Sequence, residues 1–349
     1  MDHTIHGHIR RDMERCPLRK RASDRIHLHQ GVTTVTVDNG NRSKPILADL
    51  GEAVPWGWDE TAFWRGRATG PVDRARTAAL ADPKWDVPVQ AWSGHGDASV
   101  FGVPYQLAQE RDSVRMWDLG RTVGFWDLLF GRASQILTEG LPYPAGLVRI
   151  ELDPNPGDTD RHSILWAPAR GKLYEAIDMR RAIIELHGAQ YTGHLTAWDT
   201  TRPWAKTQGG AIAAKIPLLP LLPRWEEIEA GTIAHMLGIV MDRYNKAFAP
   251  GTPVRGTDAL STAHPVRTGE RLRITDEAFL RLLEAHGDNP AAGPLLTAAR
   301  DYGFVVTDKR TWNSDNDPSG WCAVAMPADT RFADHRIDFR LSDLEIVAW

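Results

Sequence analysis

Five polar residues, His162, Glu175, Asp199, Glu227 and His235, carry the side chains that acid–base chemistry needs. A histidine and carboxylates facing one cleft could protonate and hydrolyse a glycosidic bond. The same residues, if buried and hydrogen-bonded, would staple neighbouring strands instead. Neither a nucleophile motif nor a recognised carboxylate pair accompanies them. The sequence therefore favours the structural reading, with His162, Glu175, Glu227 and His235 as the catalytic candidates should an enzyme be present.

Two further patterns have metal-ligating residue types. In Ile26-His27-Leu28-His29 an extended backbone puts both imidazoles on one face, because side chains alternate along a strand. His27 and His29 could thus bind a metal where copies of the chain meet on an axis, but two ligands do not complete a site. Asn313-Ser314-Asp315-Asn316-Asp317 is oxygen-rich like a calcium loop, yet it lacks the spaced downstream glutamate and reads better as a turn. No metal or other cofactor is expected. Fourteen tryptophans are many for 349 residues. A tryptophan face can hold a sugar ring, and Trp198, Trp204 and Trp312 are the candidates for ligand contact. Packing in the core and in interfaces is the competing use of such residues.

These side chains must be held by strands. Short β-prone runs separated by turn residues begin near Asp82: Val87–Trp92, Val100–Leu107, Val114–Trp117, Val148–Leu152, His162–Trp166, Lys172–Ile177, Ala182–Leu186, Thr232–Val240, Arg271–Ile274, Phe304–Thr307 and Cys322–Met326. The density of strands predicts a mainly β fold, an antiparallel β-sandwich resembling a jelly roll, with one or two short helices. One helix is expected between Asn289 and Tyr302. Asn289 can cap it, Pro290 or Gly293-Pro294 can begin it, and Gly303 can close it in the left-handed conformation. Strand Phe304–Thr307 follows directly, so this helix should lie as a lid on the sheet. A second helical run spans Val72 to Ala81. Arg224 to Glu229 reads as a surface helical turn, after a buried, proline-punctuated connection from Leu218 to Pro223.

Residues 1–30 are polar and rich in Arg and His, as in an extended arm, and Val32 to Val37 is strand-like. The expected organisation is an anchoring region over 1–80 and the sandwich over 81–349. A formal charge of −4 argues against a nucleic-acid partner. No run approaches the roughly 18 apolar residues of a membrane span. The first residues carry charges and histidines where a signal peptide has an apolar run, so synthesis in a cytoplasm is expected. Cys16 and Cys322 are too few for a disulfide framework, and their pairing stays open. Neither a glycine-rich phosphate loop nor a βαβ rhythm suggests a nucleotide site.

Several segments, in order, carry a resemblance: Phe101-Gly102-Val103-Pro104-Tyr105, Pro142-Tyr143-Pro144, Asp160-Arg161-His162, Leu173-Tyr174-Glu175, Trp198-Asp199, Ile216-Pro217-Leu218-Leu219-Pro220 with Glu227-Ile228, Gly231 to His235, Gly269 to Ile274, and Tyr302-Gly303. Over roughly residues 82–345 the chain resembles a group of mostly secreted, uncharacterised bacterial β-rich proteins. The five polar residues named first all lie inside these segments. Such relatives tend to have glycine where Lys215 stands and an acidic residue where Ile212 stands, and they carry an export signal. A chain with this domain, an extra N-terminal region and no such signal looks like a phage minor tail protein. That likeness implies a place in the virion tail, with other tail proteins and copies of itself as partners and host cell-wall glycan as a possible target. A polysaccharide-degrading enzyme and a carbohydrate-binding protein are the alternatives.

Overall fold

Valine, isoleucine, phenylalanine and leucine recur in runs broken by glycine, proline and aspartate, and those runs form the strands. The computed structural model describes residues 62–92, 162–177, 194–202, 212–309 and 320–349 continuously, with short pieces at 28–29, 32–33, 95–96, 99–100, 102–103, 105–107, 116–118, 135–136, 180–181, 190–192 and 210. Its principal strands are β1 (Pro88–Ala91), β2 (Tyr105–Leu107), β3 (Ser163–Ala167), β4 (Lys172–Ile177), β5 (His194–Asp199), β6 (Leu237–Met241), β7 (Arg271–Ile274), β8 (Phe304–Lys309), β9 (Cys322–Val324), β10 (Ile337–Arg340) and β11 (Leu344–Val347). Its described α-helices are α1 (Arg74–Ala79), α2 (Trp225–Glu229), α3 (Asp276–Ala285) and α4 (Ala292–Asp301).

The chain divides into two units, Met1–Ser43 and Lys44–Trp349. In the first, Leu28–His29 pairs antiparallel with Val32–Thr33. In the second, a seven-stranded sheet has the order β10-β1-β9-β6-β8-β7-β11, and a four-stranded sheet has the order β5-β4-β3-β2. The mainly β expectation holds, with few and short helices. The pairing, however, is mixed where the sequence suggested an antiparallel fold: β6–β8, β9–β1 and β2–β3 run parallel. A parallel pair needs a long crossover, and the chain from Met241 to Phe304, which includes β7, α3 and α4, supplies one.

The seven-stranded sheet carries a core cluster on each face, and β8 shows how. Phe304 and Val306 belong to one core cluster with Phe279, Leu282, Leu295, Leu296 and Ala299 of α3 and α4. Val305, pointing the other way, belongs to a second cluster with Trp64, Trp166, Leu173, Trp198 and the apolar turn around Leu219. That alternation is the two-residue period of a strand. Helix α4 starts at Ala292, so Pro294 lies in its first turn, where a missing N–H breaks no helical bond. Gly303 closes it at φ +79°, the left-handed conformation expected of it. Helix α3, which the strand-centred reading passed over, is capped by the Thr275 hydroxyl accepting from the Ala278 N–H at 3.2 Å.

Residues 62–80 pack inside the main unit. Trp64 and Leu80 are fully buried, the Asp73 side chain caps α1 by accepting from the Arg76 N–H at 3.1 Å, and Val72 bridges to Val347. The expected boundary between 80 and 81 therefore falls within this unit. Among the described residues no helix is long and apolar enough to cross a membrane.

Candidate functional site

Glu175 sits in the middle of β4 between β3 and β5, paired with Ile164 and Thr196. Its side chain turns toward the second core cluster and is 1% exposed. One carboxyl oxygen accepts from the backbone N–H groups of Leu218 and Leu219, at 2.7 and 3.0 Å, and the other accepts from the Trp198 indole N–H at 3.0 Å. The prolines at 217 and 220 hold this segment in a short 3-10 turn, Leu219–Leu221, whose first N–H groups have no partner within the turn. Glu175 supplies that partner. Burial pushes its carboxyl up to about 7, against the downward pull of the three hydrogen bonds. Trp198 is itself buried, so its indole presents no face to solvent.

Glu227 and His235 are brought together at the other end of the same apolar segment. His235 Nε2 lies 3.2 Å from Glu227 Oε2, and Nδ1 lies 2.8 Å from the Met236 carbonyl oxygen. Both ring nitrogens face acceptors. Arg224 donates to Glu227 at 2.7 Å and to Glu226 at 3.2 Å. The Arg224 N–H donates back to Glu227 Oε2 at 2.9 Å, which caps α2. Burial works to raise the Glu227 carboxyl, but His235 and then Arg224 overcome it and hold it below its usual value. Arg224, Glu227 and Ile228 are all buried, so this segment is an inward-facing turn and not the surface turn expected from its charges. Ion pairing hides the charges that made it look exposed.

Asp199 stays near the surface at the end of β5. Its carboxyl is pulled down to about 2, mainly by the hydroxyl and backbone N–H of Thr201 and further by Lys172. The Lys172 ammonium is 3.4 Å away and the Arg202 guanidinium 3.7 Å away. His162 is elsewhere again, on the wall of an open cleft of about 270 Å³. The cleft lining includes neither Glu175, Glu227 nor His235. Of the five acid–base candidates, only Glu227 and His235 meet, and they meet inside the core. An oxygen that must exchange protons with a substrate needs access to it, and a glycosidic bond needs two carboxyls flanking an open space.

The cleft also draws in residues that the sequence reading did not single out, among them Trp92 and Trp321, both half-buried at its edge. Trp92 is fixed by its indole N–H donating to the Ala333 carbonyl at 2.7 Å. Nothing in the sequence separates these two from the other tryptophans, because the cleft is assembled from strands far apart in the chain. Ile212 lines the cleft as well. Lys215 is at φ +53° and is the non-glycine residue with positive φ among the described residues.

His27, Trp204, Trp312 and the 313–317 loop lie outside the described residues, and for His29 the described feature is its backbone pairing with Val32. Among the described residues, no group of three or more His, Cys, Asp or Glu side chains could hold a metal ion. No family model, curated protein or solved structure matches the chain.

Proposed function

We propose that this chain is a structural, interaction-type protein: a minor tail component of a bacteriophage that anchors through its N-terminal region and turns its β-rich body toward the host envelope. The observation that favours an interaction role over catalysis is the position of the acid–base candidates. Glu175 is occupied by three N–H donors, and Glu227 is enclosed by Arg224 and His235. Both carboxylates join elements of the core, as buried polar groups do when their work is architectural. The tail assignment draws on the resemblance of residues 82–345 and on the additional N-terminal region. In the same reading the seven- and four-stranded sheets are the two layers of a sandwich, with the apolar Leu218–Leu222 segment between them. The aromatic-edged cleft favours carbohydrate binding as the way this body meets an envelope.

Mass spectrometry of purified virions tests the placement, with the chain expected among the tail proteins. Glu175→Gln and Glu227→Gln test the absence of catalysis. Each is expected to lower the melting temperature. An enzyme acting on cell-wall polysaccharide would instead keep its fold and lose release of reducing sugar.

A further inference from the structure

The floor of the cleft is one rung running across four neighbouring strands of the seven-stranded sheet. Gln90 on β1 pairs with Ala323 on β9, Ala323 with Val240 on β6, and Val240 with Asp308 on β8. All four side chains are partly exposed, whereas their chain neighbours Val89, Cys322, Ile239 and Thr307 are buried. A partly exposed row across the middle of a sheet marks a place where, among the described residues, the layer above does not close. The row is polar at its two ends and small and apolar between them. Its length is three strand spacings, or about 14 Å between the end Cα atoms.

Asp308 reaches this row because of a break in the ladder. Leu237, Gly238 and Ile239 pair with Phe304, Val305 and Val306 in step, but Val240 then pairs with Asp308, and Thr307 is passed over. Strict alternation would have turned Asp308 toward the helix-covered face, with Phe304 and Val306. The bulge moves its carboxylate to the cleft face, beside Val240. Bulges of this kind re-aim a side chain and are frequent next to binding sites. The Thr307 hydroxyl holds the irregularity by donating to the Ile239 carbonyl at 3.1 Å.

We infer that this cleft is a binding site for a single hydroxylated six-membered ring, a hexopyranose unit, lying on Ala323 and Val240 between Gln90 and Asp308 with Trp92 and Trp321 at its edge. The volume of about 270 Å³ is just below the range of pockets that take drug-sized ligands, and so suits one ring and not a chain of them. A pyranose has an apolar face for the small floor residues and the indoles. Its hydroxyls can donate to the Asp308 carboxylate, and can both donate to and accept from the Gln90 amide. His162 on the wall adds a third polar contact. The inference deepens the envelope-facing reading above and rests on it for the choice of a sugar as ligand.

The test titrates the full-length protein with glucose, galactose, mannose and N-acetylglucosamine separately, reading tryptophan emission and saturation-transfer NMR. At least one sugar is expected to bind saturably with a Kd of order 1 mM, as befits a ligand of about a dozen heavy atoms. Ala323→Leu fills the floor and Asp308→Asn removes the acceptor charge. Each is expected to weaken binding by about tenfold or more while the melting curve shows a folded protein. Leu280→Ser, exposed on α3, is expected to bind as the parent does. Absence of saturable binding by all four sugars would overturn the site, as would binding indifferent to both cleft variants. Preferential binding of benzylamine, an aromatic ring bearing a cation, would also overturn it. Sugar binding by a chain absent from virions would uphold the site and sink the tail assignment. Virion incorporation without sugar binding would do the reverse.

Discussion

Glu175 makes a stability prediction that separates it from Glu227. In the folded chain its carboxyl is pushed from 4.5 to about 7 by burial, whereas in the unfolded chain it titrates near its ordinary value. The folded state therefore holds more protons than the unfolded state between those two pH values, and stability falls as pH rises through that window. A difference of about 2.5 pH units corresponds to roughly 3 kcal/mol at most, at about 1.4 kcal/mol per unit. The stabilisation is fully present below about pH 4.5 and lost above about pH 7. The assay is urea unfolding from pH 4 to 8 for the parent and for Glu175→Gln, taking the difference between the two so that other titrating groups cancel. Gln keeps an oxygen for the Leu218 and Leu219 N–H groups but turns an amide N–H₂ toward the Trp198 N–H, so it is expected to be the less stable protein in acid. The gap should shrink as pH rises. A gap constant from pH 4 to 8, or one that widens with pH, would refute the argument that burial outweighs the three hydrogen bonds.

Glu227 should behave in the opposite sense. Its carboxyl is held below the ordinary value, so its contribution is present above about pH 4.5 and lost in acid; the same urea series on Glu227→Gln should show a gap that closes as pH falls. At neutral pH that substitution leaves Arg224 buried without its counter-charge and should cost about 3 kcal/mol, read from the urea midpoint. Lys215→Gly relieves a left-handed backbone position and should stabilise by about 0.5–1 kcal/mol, part of the gain being offset by the freer unfolded chain. Gly303→Ala forces a side chain into the left-handed turn after α4 and sets its Cβ 2.3 Å from the Leu272 carbonyl oxygen. It should cost upwards of about 2 kcal/mol by calorimetry.

What could be read from the sequence was local. Gly303 followed by Phe-Val-Val-Thr marks a helix end and a buried strand using neighbouring residues alone, and both are found. Lys172–Ile177 and Arg271–Ile274 fall where their β-branched and apolar patterns put them. The prolines of 217–223 identify a buried connection, and its leucines are buried. Strand β10 was passed over although Ile337-Asp338-Phe339-Arg340 alternates cleanly, with Ile337 and Phe339 buried and Asp338 and Arg340 exposed. Helix α3 was passed over although Thr275 followed by Asp276 and Glu277 is a helix-start signal.

The candidate site was hidden for a different reason. Gln90, Val240, Asp308 and Ala323 acquire meaning only as a rung, and the rung depends on which strands lie side by side. Without the bulge, period-two reasoning along Phe304 to Lys309 assigns Asp308 to the face that carries Phe304 and Val306, where a carboxylate would meet the apolar core. Glu175, Glu227 and His235 pose the opposite problem: their residue types invite a catalytic role, and only the missing nucleophile motif and carboxylate pair tilted the sequence toward the structural one. Whether a carboxylate and an imidazole are machinery or mortar is decided by what surrounds them. In this chain the surroundings are N–H donors, an arginine and a carbonyl oxygen. A site for an external ligand is better sought where the sheet leaves its middle uncovered, and there the chain has placed small residues, a re-aimed carboxylate and two indoles.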